Sequence, residues 1–223
     1  MTSPRAASCQ DGDPSSPWEL PACSDEAIVN ALIEAVERRD RSAIALLQRR
    51  YTQAETYAEK HRIAAVLLRQ VPDDSPYWNE LLEHARNAVR FANDGTEHSA
   101  EFVQWCQDRL YEPSHYARMA YIAYARMAED PRARSLHVEA LERGVRSLTQ
   151  VAIAGLAAVR DLSALPLIER ALQRHQEADP TVAWLPFGLA YFGHERADEL
   201  AFRYLPEESR EDYLEARDTR PAW

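Results

Sequence analysis

The sequence predicts an all-α fold, an α-solenoid of about five stacked antiparallel helical hairpins, and three observations carry that expectation. Residues 149–172 recur in register on both sides of themselves. The breaks between apolar runs carry helix-start chemistry, and no run of alternating apolar and polar residues marks a strand. Moving the frame forward by 33 residues lays Gly155, Leu156 and Ala157 on Gly188, Leu189 and Ala190, with Ala164 on Ala197, Leu167 on Leu200, Arg170 on Arg203 and Leu172 on Leu205. Moving it back by 31 lays Ala154 on Ala123, Asp161 on Asp130, Ala164 on Ala133, Leu167 on Leu136, Ala171 on Ala140 and Leu172 on Leu141. A period in the low thirties, with a short turn between two amphipathic helices, marks hairpins that bury their apolar faces by stacking.

The elements follow in order. Residues 1–23 hold Pro4, Pro14, Pro17 and Pro21 among small polar residues without helical periodicity, and read as a disordered leader. The solenoid then occupies residues 24–216, and residues 217–223 read as a frayed tail. Ser24 offers an N-cap, Asp25 and Glu26 suit the positive end of the helix dipole, and Ile28, Leu32, Ile33 and Val36 form the apolar stripe. Asp40 starts the partner helix with Ile44, Leu46 and Leu47, and Thr52-Gln-Ala-Glu55 reads as a capping box opening the second hairpin. Ser75 and Pro76 restart the chain, and the helix they begin buries Tyr77, Trp78, Leu81, Leu82, Ala85 and Val89. Residues 96–110 carry one irregular helix, an insertion between repeats.

Glu112-Pro113-Ser114 opens the third hairpin, which turns at Asp130-Pro131. Ser147-Leu-Thr-Gln150 reads as a capping box opening the fourth, and Asp161 and Ser163 can cap its second helix with Pro166 in the first turn. Asp179-Pro180 opens the fifth, in whose first helix Pro186 should impose a kink. A last helix near residues 206–216 caps the stack with Tyr213 and Leu214. Gly95, Gly144 and Gly193 fall just past helical runs, where a left-handed cap residue is wanted.

The segment AIAGLAAVRDLSALPLIERAL has an Ala/Gly/Leu-rich first helix, an Asp at the turn and Ala-Leu-Pro-Leu opening the second helix. It resembles the HEAT-type and HEAT-like repeats, most closely the short version named after phycobilisome lyases. The resemblance covers roughly residues 57–205. It implies an armadillo-like superhelix whose second helices line a concave face that receives partners. It implies little about function, because repeat folds host unrelated roles, and no lyase-specific residue can be carried over.

Charge and motif content narrow the function classes. The formal net charge of −10 gives a field that repels phosphate backbones and anionic membranes, so nucleic acid and membrane surfaces are disfavoured partners. Lys60 is the sole lysine, and the arginines are scattered rather than clustered. Cys9, Cys23 and Cys106 lack CxxC spacing and read as free thiols, which fits a cytoplasmic protein without a disulfide framework. The histidines, His61, His84, His98, His115, His137, His175 and His194, read mostly as surface or turn residues without metal spacing, so no metal and no cofactor is expected. No nucleophile elbow, phosphate loop or dinucleotide fingerprint is present, which argues against an enzyme. Trp78, Trp105 and Trp184 lie in helical patterns and read as packing residues, with a groove for a planar ligand as the other reading.

One surface pattern repeats. Glu139 and Arg143 map to Arg170 and Arg174, and these to Arg203 and Glu207, each pair spaced to share one helix face. Stacked hairpins set these six residues side by side as a ribbon on the second helices, the candidate binding surface for a protein partner with an acidic patch. The expected function is a non-catalytic protein-interaction module or scaffold. The alternatives are a chromophore-handling or lyase-like protein on the same scaffold, and a nucleic-acid-acting protein like the HEAT-like alkylpurine glycosylases, which the acidic balance disfavours.

Overall fold

The computed structural model describes residues 25–38, 40–68, 70–71, 73–93, 97–179 and 184–219, and among these every regular element is a helix. The leader 1–23, the Ser24 cap, Gly95 and residues 220–223 of the tail lie outside the described residues. No helix among those described is long and apolar enough to cross a membrane. The chain divides into two compact units, Met1–Trp78 and Asn79–Trp223.

In the first unit, α1 (Asp25–Glu37), α2 (Arg41–Gln53) and α3 (Tyr57–Leu67) each pack on the other two. Val29, Leu32, Ala35, Val36, Leu47 and Ile63 are buried, so the α1 stripe is rotated from the expected one and Ile28 and Ile33 are only partly covered. Asp40 caps α2, accepting from the Ser42 N–H at 2.9 Å. The expected capping box at Thr52 is displaced by four residues. Thr52 stays in the last turn of α2 and donates to the Arg49 carbonyl at 2.7 Å, while Thr56 caps α3 by accepting from the Glu59 N–H at 3.3 Å. Thr-x-x-Glu occurs at both places, and Thr52 has a carbonyl of its own helix within reach.

The second unit holds most of α4 (Ser75–Phe91), then α5 (Ala100–Gln107), α6 (Pro113–Met127), α7 (Arg134–Arg143), α8 (Arg146–Ala158), α9 (Leu165–Ala178), α10 (Glu195–Tyr204) and α11 (Arg210–Asp218). Three positions that the sequence aligns make the same kind of hydrogen bond. Asp130, Asp161 and His194 stand 31 and 33 residues apart, and each side chain accepts from the N–H two residues on, from Arg132 at 3.0 Å, Ser163 at 3.1 Å and Arg196 at 3.1 Å. The next aligned positions, Ala133, Ala164 and Ala197, are all buried, as are Leu141, Leu172 and Leu205. A short side-chain acceptor turns the chain, and the apolar residues a fixed distance later meet the core.

Within this unit α8 packs on α7 and on the 3-10 segment Leu185–Phe192, which in turn packs on α10 and α11, while α9 touches α7 and α10. Residues about one period apart are therefore in contact. Arg146 pairs with Asp179 at 3.0 Å and Arg203 with Glu169 at 2.6 Å.

Three expectations are corrected here. Val145, not a Ser147–Gln150 box, sits at the start of α8, with Ser147 exposed and the Thr149 hydroxyl donating back to the Val145 carbonyl at 3.1 Å. Pro186 does not kink an α-helix, because the whole stretch Leu185–Phe192 is a 3-10 helix. Proline removes a donor, and the tighter winding satisfies its neighbours through bonds one residue shorter, such as Phe187 to the Trp184 carbonyl at 3.1 Å. The last helix runs past residue 216 to Asp218, held by Arg217, whose guanidinium reaches Asp198 at 2.9 Å and Asp218 at 3.0 Å.

Candidate functional site

The six residues of the ribbon do not form one free surface. Glu139 and Arg143 on α7, Arg170 and Arg174 on α9 and Arg203 on α10 are all exposed, but Glu207 lies beyond the end of α10, in the 3-10 turn Glu207–Ser209. Arg174 reaches across to the C-terminus of α7, donating to the carbonyls of Glu142 at 3.0 Å and Leu141 at 3.4 Å. A guanidinium there satisfies end carbonyls that have no intrahelical donor and meets the negative end of the helix dipole. It lies over Gly144, whose φ of +69° ends α7 and where a Cβ would overlap Arg174 Nη1. Arg203 is held by Glu169, and Arg170 leans back on the Pro166 carbonyl at 3.3 Å. Three of the four arginines thus serve neighbours in the fold.

The expectation of surface histidines is corrected. His61, His84, His137 and His175 are buried, and only His98, His115 and His194 are exposed. In the second unit each buried imidazole meets a buried hydroxyl on another helix. His84 Nδ1 lies 2.9 Å from the Tyr116 hydroxyl, His137 Nδ1 2.9 Å from that of Tyr124, and His175 Nε2 2.9 Å from that of Thr149. The fourth such contact uses a carboxylate, Tyr213 donating to Asp198 at 2.8 Å. Burial pushes the Tyr116, Tyr124 and Tyr213 phenols far up, so these hydroxyls remain protonated donors. The signal for these histidines was their place on apolar faces, as in Leu136-His137 and Leu172-Gln-Arg-His175.

The feature best suited to bind something is a cleft of about 550 Å³ on the side of the second unit formed by α6, α8 and Leu185–Phe192. Its floor consists of small residues, Ala125 from α6 and Ala128 just past its end, Ala154 and Ala158 from α8, and Gly188. Small side chains let the elements approach closely and leave room above them. At Gly188 an added Cβ would stand 2.8 Å from Ile153 Cγ2, so the 3-10 segment sits directly on α8. The walls are the rings of Tyr121, Phe187, Tyr191 and Trp184, with Trp184 42% and Tyr191 40% exposed. Large aromatic side chains left open in this way mark contact surfaces more often than isolated apolar residues do.

Among the described residues lining the cleft, Glu129 alone carries a charge at neutral pH. Tyr121 also lines a second cleft of about 190 Å³, whose polar groups come from Asn87, Asn93, His98 and Ser147. The sequence singled out Trp184 but not Tyr191. Trp105 and Trp78 are packing residues. Trp78 is 9% exposed, and Trp105 packs at a tilt against Tyr116 and Tyr111, with ring centroids 4.8 and 5.9 Å away, in a cluster that includes Phe91 and Phe102.

Comparison with protein-family models, with curated proteins and with solved structures returned no match.

Proposed function

We propose that the chain is a binding module built as a HEAT-like α-solenoid, and that it holds a segment of a partner protein in the cleft between α6, α8 and Leu185–Phe192. The observation that carries the reading is the cleft itself, about 550 Å³ with exposed Trp184 and Tyr191 above an alanine and glycine floor. That volume falls within the usual range of ligand sites, and its mixture of aromatic walls with few polar groups suits recognition more than catalysis. The repeated caps at Asp130, Asp161 and His194 and the contacts one period apart support the solenoid. The second-helix ribbon is the less favoured surface, because Arg174 and Arg203 are already engaged.

The test is capture of partners from a cell extract by the full chain, by Ala154→Trp, which fills the cleft floor, and by Arg143→Glu with Arg170→Glu on the ribbon. A partner held by the wild type and the ribbon variant but lost by a normally folded Ala154→Trp fits the cleft. A partner lost only by the ribbon variant rejects it.

A further inference from the structure

We infer that the segment this cleft receives is the turn 108–111 of a second copy of the chain, which inserts Leu110 beside Trp184. The inference rests on the cleft reading above and names the partner.

Leu110 stands where neither the backbone nor the solvent favours a leucine. The Tyr111 N–H donates to the Cys106 carbonyl at 2.9 Å and the Leu110 N–H to the Gln107 carbonyl at 3.1 Å, the paired bonds that close a helix on a left-handed residue. That residue is Leu110, with a φ of +59°, a conformation that side chains disfavour and glycine accepts. Among the described residues the others with positive φ are Gly144, Gly193 and Arg160, two glycines and an exposed charge that water hydrates. Leu110 is instead large and apolar, and it is 95% exposed. Packing within the monomer does not account for it, and burial in a contact outside the monomer does.

The same unit carries a recess that suits a leucine. The other exposed large apolar side chains described there are Ile122, Trp184 and Tyr191, and the last two wall the cleft above Ala125, Ala154 and Gly188. Insertion of a leucine removes apolar surface from water on both sides and needs no hydrogen bond, so polar groups in the lining keep the bonds they make within the chain. A molecule does not fill its own cleft. Leu110 precedes the first residue of α6 while Ala125 lies near the far end of that helix, a separation of roughly 20 Å at the helical rise.

Charge selects a protein acceptor over a lipid surface. Asp108 and Glu112 flank Leu110, both exposed, and the whole chain carries −10, so an anionic membrane would repel the turn. A two-fold pair makes the knob-and-cleft contact twice, and a head-to-tail row repeats it along the row.

Sedimentation velocity of the full chain over a wide range of concentration should show reversible self-association. Leu110→Gly should weaken it about tenfold to a hundredfold, the effect of losing one buried leucine. It should do so without lowering the melting temperature, because glycine accepts the positive φ. Ala154→Trp, which fills the cleft floor, should weaken association as well, and Ala125→Glu, at an exposed helical position, serves if that variant does not fold. The mixture decides. Leu110→Gly keeps an intact cleft and the cleft variant an intact Leu110, so the two should sediment together although neither assembles alone.

A chain that stays monomeric at every concentration, assembly that survives Leu110→Gly, or a mixture that does not associate overturns the inference. The cleft reading is judged separately. A foreign partner captured by the wild type and lost by Ala154→Trp upholds the cleft when the second copy has been excluded, and capture by both rejects it.

Discussion

The Tyr124 hydroxyl donates to His137 Nδ1 at 2.9 Å, and the opposite nitrogen of that imidazole lies 2.8 Å from the Ala128 carbonyl. A carbonyl only accepts, so Nε2 carries the proton and Nδ1 is the acceptor, which defines a neutral tautomer joining α6 to α7. Both polar ends of a side chain that is 1% exposed are thereby satisfied.

Burial holds His137 below the usual histidine range, against the opposing effect of its bond to Ala128. The unfolded chain binds a proton near pH 6.5 while the native imidazole resists it, so stability is fully present above that pH and declines as pH falls below it. The melting temperature should drop between pH 7.5 and 5.5. His137→Gln, which does not titrate, should show a smaller drop, and an equal drop in both proteins would place the acid sensitivity elsewhere.

Gly155 lies against the same imidazole. A Cβ there would overlap His137 Nε2 and stand 2.5 Å from the Ala128 carbonyl oxygen, a backbone atom that cannot swing away. Gly155→Ala would ordinarily favour a helix, but here the clash dominates, and a loss of about 1–3 kcal/mol is expected in denaturant unfolding. A gain in stability would show that α8 stands further from α7.

Leu167 and Leu200 are aligned by the repeat, yet they are not equally enclosed. Leu200 is 2% exposed, whereas Leu167 is only partly buried and Ile168 takes the interior position beside it. Leu200→Ala should therefore cost about 2–5 kcal/mol and Leu167→Ala distinctly less, in contrast to the equal losses that alignment alone implies. Equal values by urea titration would contradict the difference in packing.

Arg174 bonds the carbonyls of Glu142 and Leu141 at the end of α7. Its reversal to glutamate sets a carboxylate against acceptors and the negative end of a helix dipole, with an expected cost of about 0.5–2 kcal/mol. Arg143→Glu, whose side chain is exposed on α7, should cost less in the same unfolding assay. The reverse order would mean that the ribbon, not the helix end, is where Arg174 acts.

The local code of this chain was readable directly. Asp130 and Asp161 cap their turns, Glu112 caps α6, Gly144 and Gly193 close helices with positive φ, and the aligned alanines after each cap are buried. Caps and apolar periodicity act within one or two turns, so neighbouring residues determine them. Where the local signal was duplicated, as with the two Thr-x-x-Glu motifs at Thr52 and Thr56, it selected the wrong copy. Where a proline stood in an apolar run, as at Pro186, the sequence showed that an α-helix would be disturbed but not that a 3-10 helix would replace it.

What the sequence by itself determined is therefore the helical class and the positions of several turns. Only the tertiary structure decided which side chains are available. His137 is interior because Tyr124 and Ala128 stand opposite it. Arg174 is engaged because the end of α7 passes within reach, and Trp184 stands 42% exposed beside the small residues of α6 and α8. Each of these outcomes depends on a residue distant in sequence, and side-chain exposure is a property of the residues across the gap as much as of the residue itself.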